Sequence, residues 1–240
     1  MNLSNIKAVF FDAADTLFFI KEGLGNTYAE HAKKYGINPD PQDLKKAFSK
    51  HFPTAPPLAF GNVSDEERKS LEKKWWYEVV RKVYGDIGMF DDFDDYFNDL
   101  FEVFRKAAWQ IFPETKNVLN EIKSLGFTLI IVSNFDSRVY DVCESLSIID
   151  HFDDFIISSE AGYAKPDIEI YNIALSRNNL NPQQCVFIGD NYLNDYAAPK
   201  SIGMQALLLN RDNENNKHSV QKISNLNELV TILQHNRRLS

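Results

Sequence analysis

The sequence predicts an α/β protein: a doubly wound parallel sheet, interrupted after its first strand by an inserted all-helical cap. Three observations predict it. The run Ala8–Phe11 is apolar throughout and stops abruptly at Asp12, as a strand buried on both faces does. From Glu114 onward, short continuous apolar runs alternate with amphipathic stretches, the pattern of βαβ units. Between residues 20 and 110 the apolar residues instead recur at helical spacing.

The helical segment can be read element by element. Residues 25–35 mix polar and apolar positions and stop at Gly36. Asp40 followed by Pro41 is a helix start, an N-cap followed by a residue whose missing N–H costs nothing in the first turn. That helix runs through Phe48, and Thr54-Ala55-Pro56-Pro57 is a loop by composition. Ser64 and Glu67 have capping-box spacing and open the longest helix, to about Tyr84, with Leu71, Trp75, Val79 and Val83 recurring along it. Trp75 and Trp76 are read as core. Gly85 and Gly88 end the helix. Residues 91–107 form a further helix, burying Phe93, Tyr96, Phe97, Leu100, Phe101 and Phe104 and leaving its aspartates to water.

Past Pro113 the order is helix 115–125, strand 127–132, helix 138–146, strand 155–157 and a helix through Ser176. Strand 185–188, a short helix 194–198, strand 205–209 and a closing helix 226–233 complete it. The expected division is a core of residues 1–19 and 111–240, with residues 20–110 as the cap.

Charge and composition narrow the partners. Acidic residues outnumber basic ones, 34 to 26, for a formal net charge of −8, which argues against nucleic acid. A small anionic substrate stays open, because a local site can oppose the net charge. Cys143 and Cys185 sit in apolar runs and read as buried free thiols. The first residues lack the charged start and long apolar run of a signal peptide, and no stretch is long enough to span a bilayer. The expectation is a cytoplasmic monomer or homodimer without a membrane partner.

The polar residues that end each strand carry the chemistry. Strand one delivers Asp12, Asp15 and Thr16; strand two delivers Ser133 and Asn134. The loop after the third delivers Lys165, and strand four delivers Asp190 and Asn191, then Asn194 and Asp195. Open α/β sheets bind ligands at these strand ends. Two carboxylates bind Mg2+ through oxygen. A metal and a lysine neutralise a phosphate and the charge that builds during transfer. A carboxylate can also attack phosphorus. Taken singly, Asp12, Asn194 and Asp195 could each simply cap a turn or helix.

Taken together, four segments resemble the motifs of the haloacid dehalogenase-like (HAD) hydrolase superfamily. They are Phe10-Phe11-Asp12-Ala13-Ala14-Asp15-Thr16-Leu17, Val132-Ser133-Asn134, Lys165-Pro166-Asp167, and Gly189-Asp190-Asn191-Tyr192-Leu193-Asn194-Asp195. The resemblance covers the whole chain, including a helical cap after strand one. It implies that Asp12 is nucleophile and Mg2+ ligand, with Asp190 and the main-chain carbonyl of Ala14 as further ligands. It implies that Ser133, Asn134 and Asn191 hold the phosphoryl group and that Thr16 supports the first loop. Lys165 would pair with Asp12 and the phosphate, and Asp195, with Asn194 beside it, would orient Lys165 or the metal's waters. The implied substrate is a small phosphorylated metabolite.

The motif departs from the family's phosphatases at one place. They carry an acid/base Asp where this chain has Ala14, and Asp15 follows where they usually have Gly. A methyl group transfers no proton, and such proton transfer contributes roughly 10²–10⁴-fold. Three readings follow: a phosphatase without the usual acid/base Asp, for which Asp15 is the candidate replacement, a C–X hydrolase, or a binding module with little turnover. The C–X hydrolase would resemble 2-haloacid dehalogenases or phosphonoacetaldehyde hydrolase, the latter using a cap lysine such as Lys21.

Overall fold

The strand β1 (Ala8–Phe11) lies inside a six-stranded parallel sheet, paired on both sides. The structure, a computed structural model, describes residues 5–211 and 220–237. After β1 come β2 (Phe18–Ile20), α1 (Leu24–Ala32), α2 (Pro41–His51), α3 (Asp65–Ile87) and α4 (Phe93–Val103). Then follow β3 (Trp109–Ile111), α5 (Thr115–Ser124), β4 (Thr128–Ser133), α6 (Arg138–Ser145) and β5 (Asp154–Ile157). The rest is α7 (Ser158–Ala161), α8 (Ile168–Arg177), β6 (Cys185–Gly189), a π-helical turn (Tyr192–Ala197) and α9 (Ala198–Ser201). β7 (Gln205–Leu209), β8 (Lys222–Ile223) and α10 (Leu226–Arg237) end it.

The sheet order is β5-β4-β1-β6-β7-β8. The chain builds outward from β1 through β4 to β5, then returns to β6 on the other side. The reversal of strand order therefore falls at β1, where such sheets open a crevice. Each face of the sheet has its own apolar cluster. Val9, Phe11 and Ile131 face α5, α6 and α10; Phe10, Ile130 and Phe187 face α8. Burial on both faces is why these strands read as unbroken apolar runs.

A third apolar cluster knits the helices α1 to α4, with Tyr28, Leu44, Val83, Tyr84, Tyr96 and Leu100 among its members. Asp40 caps α2 by accepting from the backbone N–H groups of Gln42 and Asp43, and Ser64 caps α3 by accepting from that of Glu67. The chain enters and leaves this helical segment through the antiparallel ribbon β2–β3, in which Phe18 pairs with Ile111 and Ile20 with Trp109. The ribbon is absent from the sequence reading, because three-residue strands leave too short a pattern to separate from helix. The expected helix over 91–107 is shorter, Phe93–Val103, and is followed by turns up to β3. The expected short helix at 194–198 is instead the π-helical turn running into α9.

The helical segment is fastened to the sheet by buried charge. Arg138 makes a two-pronged contact to Asp136, donating from Nε at 2.9 Å and from Nη2 at 2.7 Å. Trp76 Nε1 donates at 2.5 Å to Asp136 Oδ2, the oxygen that also accepts from Arg138 Nη2, and Arg138 Nη1 donates to the Phe101 carbonyl. The guanidinium also lies 3.8 Å from the centre of the Phe101 ring. Burial pushes the Asp136 carboxyl up, but Arg138 outweighs it and holds the group below the ordinary carboxylate range. Glu72, buried on α3, accepts from the Ser137 N–H and hydroxyl. Trp75 and Trp76 are half-buried rather than core. Trp75 Nε1 donates to the Pro56 carbonyl, and Trp76 stacks on Phe52, so the pair holds the Pro-rich loop. Among the described residues, no helix is long and apolar enough to cross a membrane.

Candidate active site

Asp12 stands where β1 ends, its backbone N–H still donating to the Ile188 carbonyl of β6 at 2.9 Å. The sheet thus sets the direction of its side chain. Ser133 Oγ, at the end of β4, donates to Asp12 Oδ1 at 2.8 Å. Lys165 Nζ donates to the same oxygen at 2.7 Å and to Asp195 Oδ1 at 2.7 Å. Both donors converge on Oδ1, which leaves Asp12 Oδ2 without a donor among the described residues. A carboxylate anchored by one oxygen presents the other in a fixed direction.

The lysine is positioned from two sides. The side-chain amide of Asn134 clamps its main chain, donating from Nδ2 to the Lys165 carbonyl at 2.8 Å and accepting from the Lys165 N–H at 2.7 Å. The resemblance implied that Asn134 holds a phosphoryl group; the structure shows its side-chain amide also bound to this loop. The Lys165 side chain is only 2% exposed. Burial alone would pull its ammonium down, but Asp12 and Asp195 outweigh burial and hold it above the ordinary lysine range.

Asp195 is the inner end of this chain of charges. Its Oδ1 takes Lys165 and its Oδ2 takes the Asn191 N–H at 2.9 Å. It packs so closely on β6 that a Cβ on Gly189 would lie 2.4 Å from its carboxylate, so that position admits only glycine. Asn191 has a role the sequence did not show: its Oδ1 caps the π-helical turn by accepting from the Leu193 and Asn194 N–H groups, each at 3.0 Å. Asn194 borders the groove beside Lys165, and its carbonyl accepts from the Tyr171 hydroxyl.

Asp15 takes the left-handed backbone, φ 59°, which an aspartate tolerates better than most residues. Its N–H donates to the Phe18 carbonyl at 2.7 Å, closing the tight loop after β1. Thr16 is fully buried. Its carbonyl accepts from Arg211 Nη2 at 2.8 Å, while its Oγ1 has no partner among the described residues. Arg211, missed in the sequence, also pairs with Glu114 at 2.6 Å and lies over the Phe112 ring.

One oxygen each from Asp12, Asp190 and Asp195 lie within 4.8 Å of one another. Burial, then the charges of Asp12, Asp195 and Asp15, push the Asp190 carboxyl up to about 7. Burial also pushes Asp195 up, to about 6, with Lys165 opposing. Asp15 rises too, through partial burial and the charge of Asp12, with Arg211 opposing. Lys165 pairs with Asp12 and Asp195, and Arg211 near Asp15 is already paired with Glu114, so the four carboxylates keep a negative surplus that suits a hard divalent cation bound through oxygen.

Three openings meet here. Ala14 and Asp15 border a cavity of about 230 Å³ beneath the helical segment. Asp15 and Asp190 share a cleft of about 460 Å³ with Arg211. Asn134 and Lys165 open to a groove of about 580 Å³ along the Pro-rich loop.

Comparison with known proteins assigns the chain to a family. Residues 6–203 match the family model described as haloacid dehalogenase-like hydrolase. The chain is 30% identical over 207 residues to haloacid dehalogenase-like hydrolase domain-containing protein 3 of Homo sapiens, covering 85% of this chain and 82% of that one. It is 27% identical over 246 residues to the glyceraldehyde 3-phosphate phosphatase of Methanothermobacter thermautotrophicus, covering 95% and 100%. A HAD phosphatase of Thermococcus onnurineus superposes with a TM-score of 0.67 at 22% identity, covering 95% and 98%. With the strand-end carboxylates, the lysine and the sheet order already in place, these matches make the chain a haloacid dehalogenase-like hydrolase.

Proposed function

We propose that this hydrolase is a Mg2+-dependent phosphatase acting on small phosphate esters, with residues 20–110 as a cap over the crevice of a core formed by residues 1–19 and 111–240. The observation that carries the reading is the pairing of Asp12 with Asp190. Asp12 is anchored through Oδ1 alone, and the second acidic group beside it has its proton affinity raised by burial and then by like charge. The similarity to a protein named a phosphatase supports it.

The donor set fits magnesium: carboxylates in surplus over cations, gathered at one strand end. Asp12, Asp190 and the Ala14 carbonyl would hold the ion; both Asp195 oxygens are already engaged. When bound, the ion neutralises phosphate charge and the charge that builds in transfer. The chain's own residues do the rest. Asp12 Oδ2 attacks phosphorus, a carboxyl–phosphorus bond forms, and the bond to the ester oxygen breaks. Lys165 neutralises Asp12 and the phosphoryl oxygens, while Ser133 keeps Oδ1 from rotating. Asp15, the carboxyl bordering both the cap cavity and the Asp190 cleft, protonates the departing alkoxide. It then takes a proton from the water that splits the aspartyl-phosphate, releasing phosphate.

The test is turnover of phosphate esters, with and without Mg2+, by the native chain and three variants. Asp12→Asn abolishes turnover, Asp15→Asn lowers kcat by roughly 10²-fold, and Ala14→Asp raises it. Halide release from 2-haloacids without metal would overturn the phosphatase reading. Asp15→Asn with unchanged kcat would remove Asp15 from the mechanism.

A further inference from the structure

Of the three openings, the cavity beneath the helical segment is the one lined by Ala14 and Asp15 together, which places it to receive what leaves Asp12. Phe48, Phe97, Leu100, Phe104 and Trp109 supply much of its wall. The polar groups in that wall are already engaged. Arg138 is held by Asp136 and the Phe101 carbonyl. Trp76 Nε1 donates to Asp136, and Trp109 Nε1 donates to the Phe104 carbonyl at 2.8 Å. The Tyr28 hydroxyl is the exception. Among the described residues lining the cavity, none offers an unpaired cation to a carboxylate or a second phosphate. None forms the array of donors and acceptors that sugar hydroxyls need. A polar group forced into such a space loses its water without replacement.

Resting on the phosphatase reading above, we infer that the substrate is a phosphate monoester of an uncharged, apolar alcohol carrying one aromatic ring or a compact alkyl group. The size agrees: the cavity is about 230 Å³, and roughly 150 Å³ is enough to admit benzene. Ala14 now has a positive reason. Its methyl continues the apolar surface at the mouth of the cavity. Each methylene buried there is worth about fourfold in kcat/KM until the wall is filled.

The test compares esters of primary alcohols, so that leaving-group reactivity stays similar: butyl phosphate and benzyl phosphate against glycerol 3-phosphate and glucose 6-phosphate. Acetyl phosphate, whose leaving group barely enters the cavity, is the internal standard. The full chain with Mg2+ should show kcat/KM for benzyl phosphate at least about tenfold above both polar esters. Ile20 also lines the cavity, and Ile20→Trp, which fills it, should erase that preference by lowering kcat/KM for benzyl phosphate at least about tenfold more than for acetyl phosphate. Phe104→Ala, which enlarges it, should move the preference toward bulkier aryl esters. Acetyl phosphate hydrolysis with no preference for the apolar esters would overturn the inference and leave the phosphatase reading standing. No hydrolysis of any ester would overturn the phosphatase reading itself.

Discussion

Lys165 is the residue on which the charges of the crevice converge. It is buried, bonds Asp12 and Asp195 at once, and lies 5.1 Å from the centre of the Phe187 ring. Removing one member of a buried ion pair costs about 3–5 kcal/mol, because the partner stays buried and charged. Lys165→Met should therefore destabilise the protein by about that amount at neutral pH, read by urea unfolding. In acid the loss should shrink, as the carboxylates protonate and no longer need the ammonium. An equal loss at both pH values would mean that Lys165 acts only by packing. Asn134 and Ser133 were legible as strand-end residues, but the clamp that Asn134 puts on the Lys165 main chain was not. It joins residues 31 apart in the chain through hydrogen bonds that no local pattern encodes.

At the scale of elements, the decisive contact is between the helical segment and the turn after β4. Trp76 of α3, the Phe101 carbonyl of α4, and Asp136 with Arg138 form one buried cluster. Asp136 is fully buried. Arg138→Met leaves that carboxylate without its partner and should cost about 3–5 kcal/mol in urea unfolding. The double variant Asp136→Leu with Arg138→Met should recover most of the loss, since two apolar groups need no partner. No recovery would show that the arginine's stacking on Phe101 carries the contact instead. The amphipathic helices that meet here were readable from their periodicity. Their docking was not, because its charged members are isolated in sequence and look like ordinary surface residues.

For the whole molecule, the prominent feature is uncompensated negative charge around one strand end, within a chain of net charge −8. The folded protein raises the Asp190 carboxyl from 3.8 to about 7 and Asp195 from 3.8 to about 6. Raised carboxyls bind protons more tightly when folded than when unfolded. Their contribution is therefore complete below 3.8 and is lost as pH rises through the folded values. From these two groups, the metal-free protein should lose thermal stability as pH climbs toward about 7. Mg2+ should flatten that slope, because the ion replaces the proton as the source of positive charge. Melting curves across pH, with chelator and with Mg2+, measure both. A slope that Mg2+ leaves unchanged would argue against the crevice as the metal site.

The sequence by itself determined the α/β class, the early helical insertion, the strand-end identity of Asp12, Ser133 and Asp190, and the loop position of Lys165. Each depends on local periodicity or on where an apolar run stops, and burial on two faces imposes that pattern on the chain directly. Tertiary structure alone decided which oxygen of Asp12 stays open, that Asn191 caps a turn, that Gly189 yields its space to Asp195, and that the wall above Ala14 is apolar with its donors already engaged. These depend on distances between segments far apart in the chain, which are set when the sheet, the ribbon and the helical segment pack together.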